Sequence, residues 1–120
     1  MMNRPILIAA LILAVVAFAW LATGSGATSE RISGERARQL VSEGALLVDV
    51  RTRAEYQARH IPGATNVPLR EIRSRTDELA PKDRPLVLYC HSGRRSAIAT
   101  RRLESTGFEH VYDLGPMSAW

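Results

Sequence analysis

The chain has one cysteine, one lysine and three histidines among 120 residues. A lone thiol cannot close a disulfide within the chain, so no disulfide framework is available to it. Cys90 and the histidines at 60, 91 and 110 show none of the spacings that hold zinc, which excludes a metal site built on the usual Cys and His ligands. A charge excess is nearly absent too. Sixteen basic residues stand against twelve acidic ones, and setting Arg4 aside leaves a net charge near +3. Arg36, Arg38, Arg73, Arg75, Arg101 and Arg102 are interleaved with acids and apolar residues, the pattern of solvated helix faces. Nucleic-acid binding has little support in that pattern.

Only one long apolar run is present. After the basic start Met1 to Pro5 come Ile6 to Ala22, 17 residues without a charge, followed by the small residues Thr23 to Ala27. A basic start, an apolar middle and a small-residue tail describe an export signal, with Ser25 and Ala27 placing cleavage after Ala27. The run is longer than the usual apolar core of a signal and just reaches the length that spans a bilayer, so residues 6–22 are equally an uncleaved anchor. Trp20 would then suit the far interface, and Arg4 would stay on the cytoplasmic side. Either outcome places the rest of the chain in the periplasm or another extracytoplasmic space, soluble or tethered to the inner membrane. The expected organisation is a signal or anchor over residues 1–27 and one domain over 28–120, whose 93 residues can build a modest core unaided.

The domain alternates short strands and helices. Thr28 to Arg31 is a polar linker. Ser33 caps a helix with Ala37, Leu40 and Val41 on one face and Gly44 at its end. Leu46 to Val50 is an apolar strand, Ala54 to Arg59 a helical turn, and Pro62-Gly63 a turn before a brief edge strand at Thr65 to Val67. Leu69, Ile72 and Leu79 recur at near-helical spacing up to Pro81. Leu86 to Tyr89 is a second buried strand, a helix capped by Ser96 runs through Ala99 and Leu103 to Gly107, and a last strand surrounds His110 to Tyr112. This order predicts an α/β fold, a mostly parallel sheet with helices on both faces. In such sheets ligands bind beyond the carboxyl ends of the strands. Cys90 sits at one such end and Asp49 to Arg51 at another, so Asp49 and Arg51 are candidate supports of one pocket. A strand-end ion pair with Glu55 is the competing reading of those two.

Cys90 is where chemistry concentrates. The strand gives way to His91-Ser92-Gly93-Arg94-Arg95-Ser96, and the amides of such a loop, together with a helix N-terminus, favour negative charge. Thiols beside arginines and helix N-termini are ionised more readily than ordinary ones. Cys90 is therefore expected to be a nucleophilic thiolate suited to an anionic substrate. An inert buried cysteine has no use for two adjacent arginines. His91 is either an acid–base group or an exposed loop side chain, His60 is expected to satisfy backbone groups, and Tyr89 and Tyr112 to line the core or the pocket.

From about Ile32 to Trp120 the chain resembles the single-domain rhodaneses, the thiosulfate sulfurtransferase family. The matching segments are Leu47-Val48-Asp49-Val50-Arg51, Glu55-Tyr56, His60 to Pro68, Val87 to Ser96, Gly107-Phe108 and Leu114 to Trp120. The resemblance implies a rhodanese-like fold in which Cys90 accepts a sulfane sulfur. His91, Ser92, Gly93, Arg94, Arg95 and Ser96 would form the substrate-binding loop, with Arg94 and Arg95 on the anionic donor. The implied donor is thiosulfate or a similar small anion, and the acceptor a thiol, cyanide or a protein; no metal or organic cofactor is implied. Pro116 stands where relatives commonly have glycine, which would alter a local turn and leave the Cys90 loop untouched. The chain stops at Trp120, so its last helix is expected to be cut short or to act as a lid. A persulfide carrier or redox-sensing module is the alternative. A phosphatase or arsenate reductase is disfavoured, because those enzymes need five residues between Cys and Arg and only four separate Cys90 from Arg95.

Overall fold

A computed structural model of the chain describes residues 31–120; the expected signal or anchor over residues 1–27 lies outside the described residues. Four strands form one parallel sheet: β1 (Leu46–Asp49), β2 (Thr65–Asn66), β3 (Leu86–Cys90) and β4 (Val111–Pro116), in the order β2-β1-β3-β4. Central β3 is buried at all five positions, which is why it reads as an unbroken apolar run rather than an alternating one. Beyond β4, Arg31 pairs with Asp113 as an isolated parallel bridge.

The pleat sends successive side chains to opposite faces, and each face has its own core. Val48, Val50, Leu86, Leu88 and Cys90 meet Ala99 and Leu103 of helix α3 (Arg94–Ser105) on one side. Leu47, Val87 and Tyr89 meet Ala37 and Leu40 of helix α1 (Gly34–Ser42) on the other, with Tyr56 of the short helix α2 (Arg53–Ala58) packed against them. Ser33 caps α1 as expected, its hydroxyl accepting from the Arg36 amide at 3.1 Å. The expected α/β sheet with helices on both faces is thus what the chain forms.

Three elements depart from the sequence reading. The segment from Leu69 to Leu79 is not one helix but two 3-10 turns, Leu69–Glu71 and Thr76–Leu79. Ile72, just past the first turn, and Leu79, at the end of the second, still reach the α3-side core, so the apolar spacing marks burial but not a helical period. The last strand extends to Pro116. A register shift beside Leu88/Tyr89 sets Asp113 against Leu88, Gly115 against Tyr89 and Pro116 against Cys90. The chain then closes with a 3-10 turn, Met117–Ala119.

Leu88 is fully buried at the sheet centre. Leu88→Ala should cost about 2 to 5 kcal/mol, the lost transfer energy plus the cavity left behind. Arg101→Ala, on the exposed side of α3, should stay within about 0.5 kcal/mol. Denaturant unfolding of both variants checks the pair.

Candidate active site

β3 ends at Cys90, and the chain must turn at once to begin α3 at Arg94. Gly93 makes that turn with φ 97°, a left-handed conformation that side-chain-bearing residues rarely adopt. The turn brings the Gly93 N–H back onto the sulfur it has just passed, donating to Cys90 Sγ at 2.9 Å. Gly93 is thereby the N-cap of α3, and Ser96 is not the cap expected from sequence. The helix starts two residues before Ser96 because the turn at Gly93 already sets the entry angle. The Ser96 hydroxyl faces inward instead, 3.5 Å from Sγ, and donates to the Gly93 carbonyl at 3.1 Å. Serine, amide and sulfur form one closed group at the N-terminal end of a three-turn helix, where the helix dipole favours an anion.

Cys90 itself is 0% exposed. Of the loop residues expected to surround it, Gly93 and Ser96 are buried, Arg95 is half-buried, and His91, Ser92 and Arg94 are exposed. His91 therefore takes the exposed-side-chain alternative. Among the described residues the Gly93 amide is the loop amide that meets Sγ.

Arg95 reaches sideways to α2. Its guanidinium forms two bonds to the Glu55 carboxylate, at 2.7 and 3.0 Å. Glu55 is itself placed by a capping box, in which the Thr52 hydroxyl accepts from the Glu55 amide and the Glu55 carboxylate accepts from the Thr52 amide. The hydrogen bond from Arg95 pulls the Glu55 carboxyl down to about 2, against burial and with help from Thr52. Arg95 is held more firmly protonated, first by Glu55, with the nearby Cys90 and Asp49 adding to the effect. Beside this pair lies a recess of about 230 Å³ lined by Val50, Thr52, Pro68, Leu69, Arg70 and Arg95. Val50 belongs to the same apolar cluster as Cys90, so the recess sits on the sulfur's side of the sheet.

Asp49 and Arg51 occupy the other side. They form a buried ion pair at 2.8 Å, and the Tyr89 hydroxyl donates to Asp49 Oδ2 at 2.8 Å while accepting from the Ile61 amide at 3.1 Å. Burial raises the Tyr89 hydroxyl above its ordinary range, and the bond to Asp49 adds to it. Burial alone would lower Arg51, but its hydrogen bond and charge contact with Asp49 outweigh that and raise it. Asn66 Nδ2 donates to the carbonyls of Asp49 and Arg51 at 3.0 and 2.9 Å. This knot ties the ends of β1, β2 and β3 to the loop at Ile61. The ion pair anticipated at this strand end exists, but its acid is Asp49; Glu55, the partner expected from sequence, is spent on Arg95. Asp49 and Arg51 hold up the sheet end and do not face the sulfur.

His60 bonds the Tyr56 carbonyl through Nδ1 at 2.8 Å and stacks on the Tyr56 ring, satisfying a backbone group as expected although it is exposed rather than buried. His110 lies at the surface near Glu109. No group of three or more His, Cys, Asp or Glu side chains converges among the described residues.

Two participants were missed in the sequence. Glu55 is expected from sequence to pair at the β1 end, and its actual partner Arg95 lies forty residues away, a pairing no local pattern reveals. Arg31 falls in the polar linker expected from sequence, yet its guanidinium lies against Gly93 and Gly115. Nothing in the Arg31 neighbourhood of the sequence signals that contact.

Residues 33–120 match the family described as "Rhodanese-like domain". The thiosulfate sulfurtransferase PspE of Escherichia coli is 38% identical over 69 residues, 57% of this chain and 66% of that protein. A sulfurtransferase of Allochromatium vinosum is 44% identical over 80 residues, covering 66% and 74%. A Bacillus subtilis protein whose name proposes a sulfur-carrier role, YrkF, is 41% identical over 75 residues, covering 62% and 40%. The chain thus spans less than two thirds of several curated relatives it matches. A solved human single-domain sulfurtransferase superposes with a TM-score of 0.65 at 30% identity, covering 79% of this chain and 93% of that one.

Two outcomes follow from this geometry. Tyr89→Phe should cost about 1 to 3 kcal/mol by stranding the Asp49 and Ile61 groups, and should leave the alkylation rate of Cys90 unchanged because the ring lies on the opposite face; denaturant melts and iodoacetamide kinetics test both halves. Glu55 sits lower folded than its ordinary 4.5, so its contribution is fully present above that value and is lost as the pH falls through about 2. Glu55→Gln should therefore lower the unfolding midpoint at neutral pH, and the gap from wild type should close between pH 4.5 and 2.

Proposed function

This chain belongs to the rhodanese-like domain family of sulfurtransferases, and from that premise we propose that it moves a sulfane sulfur from thiosulfate or a similar anionic donor to a thiol or cyanide through a persulfide on Cys90. The observation that supports this reading is the 2.9 Å bond from the Gly93 amide to Cys90 Sγ at the N-terminus of α3. A sulfur held this way is aimed, and a negative charge on it or on a sulfur attached to it is stabilised by the donor and by the helix dipole.

The steps balance without a redox partner. The Cys90 thiolate attacks the outer sulfur of thiosulfate, a new S–S bond forms, the old one breaks, and sulfite leaves with the bonding electrons. The persulfide then carries the sulfane sulfur and the negative charge. Cyanide or a thiolate attacks that terminal sulfur, departs as thiocyanate or a persulfide, and returns Cys90 to the thiolate. Arg94, exposed at the loop, meets the incoming dianion and offsets charge on the departing sulfite, while Arg95 is held by Glu55 at the edge of the recess.

Phosphatase chemistry has less in its favour. After five intervening residues from Cys90 stands Ser96, not arginine, and the Arg95 guanidinium is turned to Glu55 rather than over the sulfur. A carrier role has one observation behind it: Cys90 is wholly enclosed, and a persulfide places the transferable sulfur about 2 Å nearer a docked partner.

For the segment outside the described residues the reading remains export, with residues 1–27 as a cleaved signal or an inner-membrane anchor. Intact-mass spectrometry of the protein from its host, before and after thiosulfate, tests the whole proposal. Wild type should gain one sulfur atom that cyanide removes, and Cys90→Ser should gain none; uptake by Cys90→Ser would refute it. The starting mass distinguishes cleavage after Ala27 from a retained leader.

A further inference from the structure

Cys90 is flanked on the β1 side by Arg95, whose charge is taken up by Glu55. On the β4 side the flank is Arg31. Its backbone is fixed beside that strand: Arg31 bridges Asp113, and the Ile32 amide donates to the Asp113 carbonyl at 2.9 Å. From there the side chain runs over two glycines. A Cβ on Gly115 would stand 2.9 Å from Arg31 Nε, and a Cβ on Gly93 only 2.1 Å from Nη2. Both glycines have positive φ, 82° and 97°, so the backbone turns that exclude other residues also leave a trough that a planar guanidinium fills.

Gly93 is the residue whose amide holds the sulfur. By bond lengths alone, Nη2 is no farther than about 8 Å from Sγ, within a Debye length at ordinary ionic strength. Among the described residues no carboxylate pairs with the Arg31 guanidinium, so its charge is not cancelled as that of Arg95 is.

We propose that Arg31 is a positioning residue for Cys90: its guanidinium, laid across Gly115 and Gly93, holds the Gly93 N–H on Sγ and supplies an uncancelled positive charge on the β4 side of the loop. Arg31 acts through Gly93 and does not touch the reacting sulfur. The inference rests on the sulfurtransfer reading only in taking Cys90 as the reactive atom. The other charged or titratable groups around that atom are His91 and Arg94 on the loop and the start of α3, Arg95 with Glu55 from α2, and Asp113 of β4. Asp113 is engaged with the Gly115 amide at 2.8 Å. None of these residues is itself altered in the Arg31 variants.

The test uses the full chain with Arg31→Gln, which removes the charge, and Arg31→Lys, which keeps it on an exposed position that either side chain tolerates. The readout is the rate of Cys90 alkylation by iodoacetamide from about pH 5 to pH 9, the range in which a thiol's ionised fraction is decided. Arg31→Gln should slow alkylation about three- to tenfold near pH 6 and converge on wild type at the alkaline end, where any thiol is ionised. Arg31→Lys should recover a large part of that loss. A Gln profile that overlays wild type overturns the proposal, even with a lowered unfolding midpoint, because Arg31 would then be a strut and no more. Slowing by the same factor at every pH also overturns it, since that is the signature of blocked access. Alkylation needs no sulfur donor, so a protein that takes no sulfur from thiosulfate yet shows the shifted profile would sink the sulfurtransfer reading and leave this one standing.

Discussion

Around Cys90 two demands oppose one another. The sulfur is buried against the apolar core at the carboxyl end of the central strand, where a charged atom loses its hydration, yet its proposed work requires it to be an anion. The chain meets the conflict with one left-handed residue. At Gly93 the backbone reverses, and a peptide N–H that a helix start leaves without an internal partner becomes the donor that the sulfur needs. The dipole of α3 acts on the same point, while the Ser96 hydroxyl donates to the Gly93 carbonyl and so braces the turn. Remove the reversal and the helix would still form, but its first amides would face water and the sulfur would face only hydrocarbon.

The sheet separates this chemistry from the groups that hold its frame. On the α3 side lie Cys90, Val50 and the recess beside Arg95. On the α1 side the Asp49–Arg51 pair, Tyr89 and Asn66 bind three strand ends into one unit. Buried ion pairs add little net stability, but breaking one strands a charge at high cost, so the pair acts as a geometric lock more than as a source of energy. A lock at the carboxyl ends of β1 to β3 fixes the point from which the Cys90 loop departs. Glu55 and Arg95 join the two regions, tying the N-terminus of α2 to the first turn of α3.

Much of this was legible in sequence, for identifiable reasons. Central parallel strands are buried on both faces, so Leu86 to Cys90 and Leu46 to Asp49 announce themselves as apolar runs, and a cysteine ending one of them before a glycine and two arginines marks the loop. The helix start was misplaced because a serine is the usual cap, whereas here backbone geometry at Gly93 makes the entry. Leu69, Ile72 and Leu79 signalled burial but not the 3-10 form, since two turns separated by a break mimic a helical period. A shared place at the carboxyl ends of parallel strands suggests that Asp49 and Arg51 support the pocket of Cys90. Strand parity decides otherwise, because in this register Val50 is the β1-end residue on the sulfur's side. The Glu55–Arg95 and Arg31–Gly93 contacts are products of tertiary folding alone.

The register shift between β3 and β4 has a consequence for how such a chain can diverge. One extra residue in β4 sets the phase at which Gly115 and Pro116 come to lie beside Tyr89 and Cys90. Loops elsewhere tolerate insertions and deletions, but losing a single residue between Val111 and Pro116 would slide a side chain into the place where only a hydrogen now fits. The length of that strand, and not merely its composition, is therefore under constraint, and lineages that alter it must rebuild the neighbouring edge at the same time.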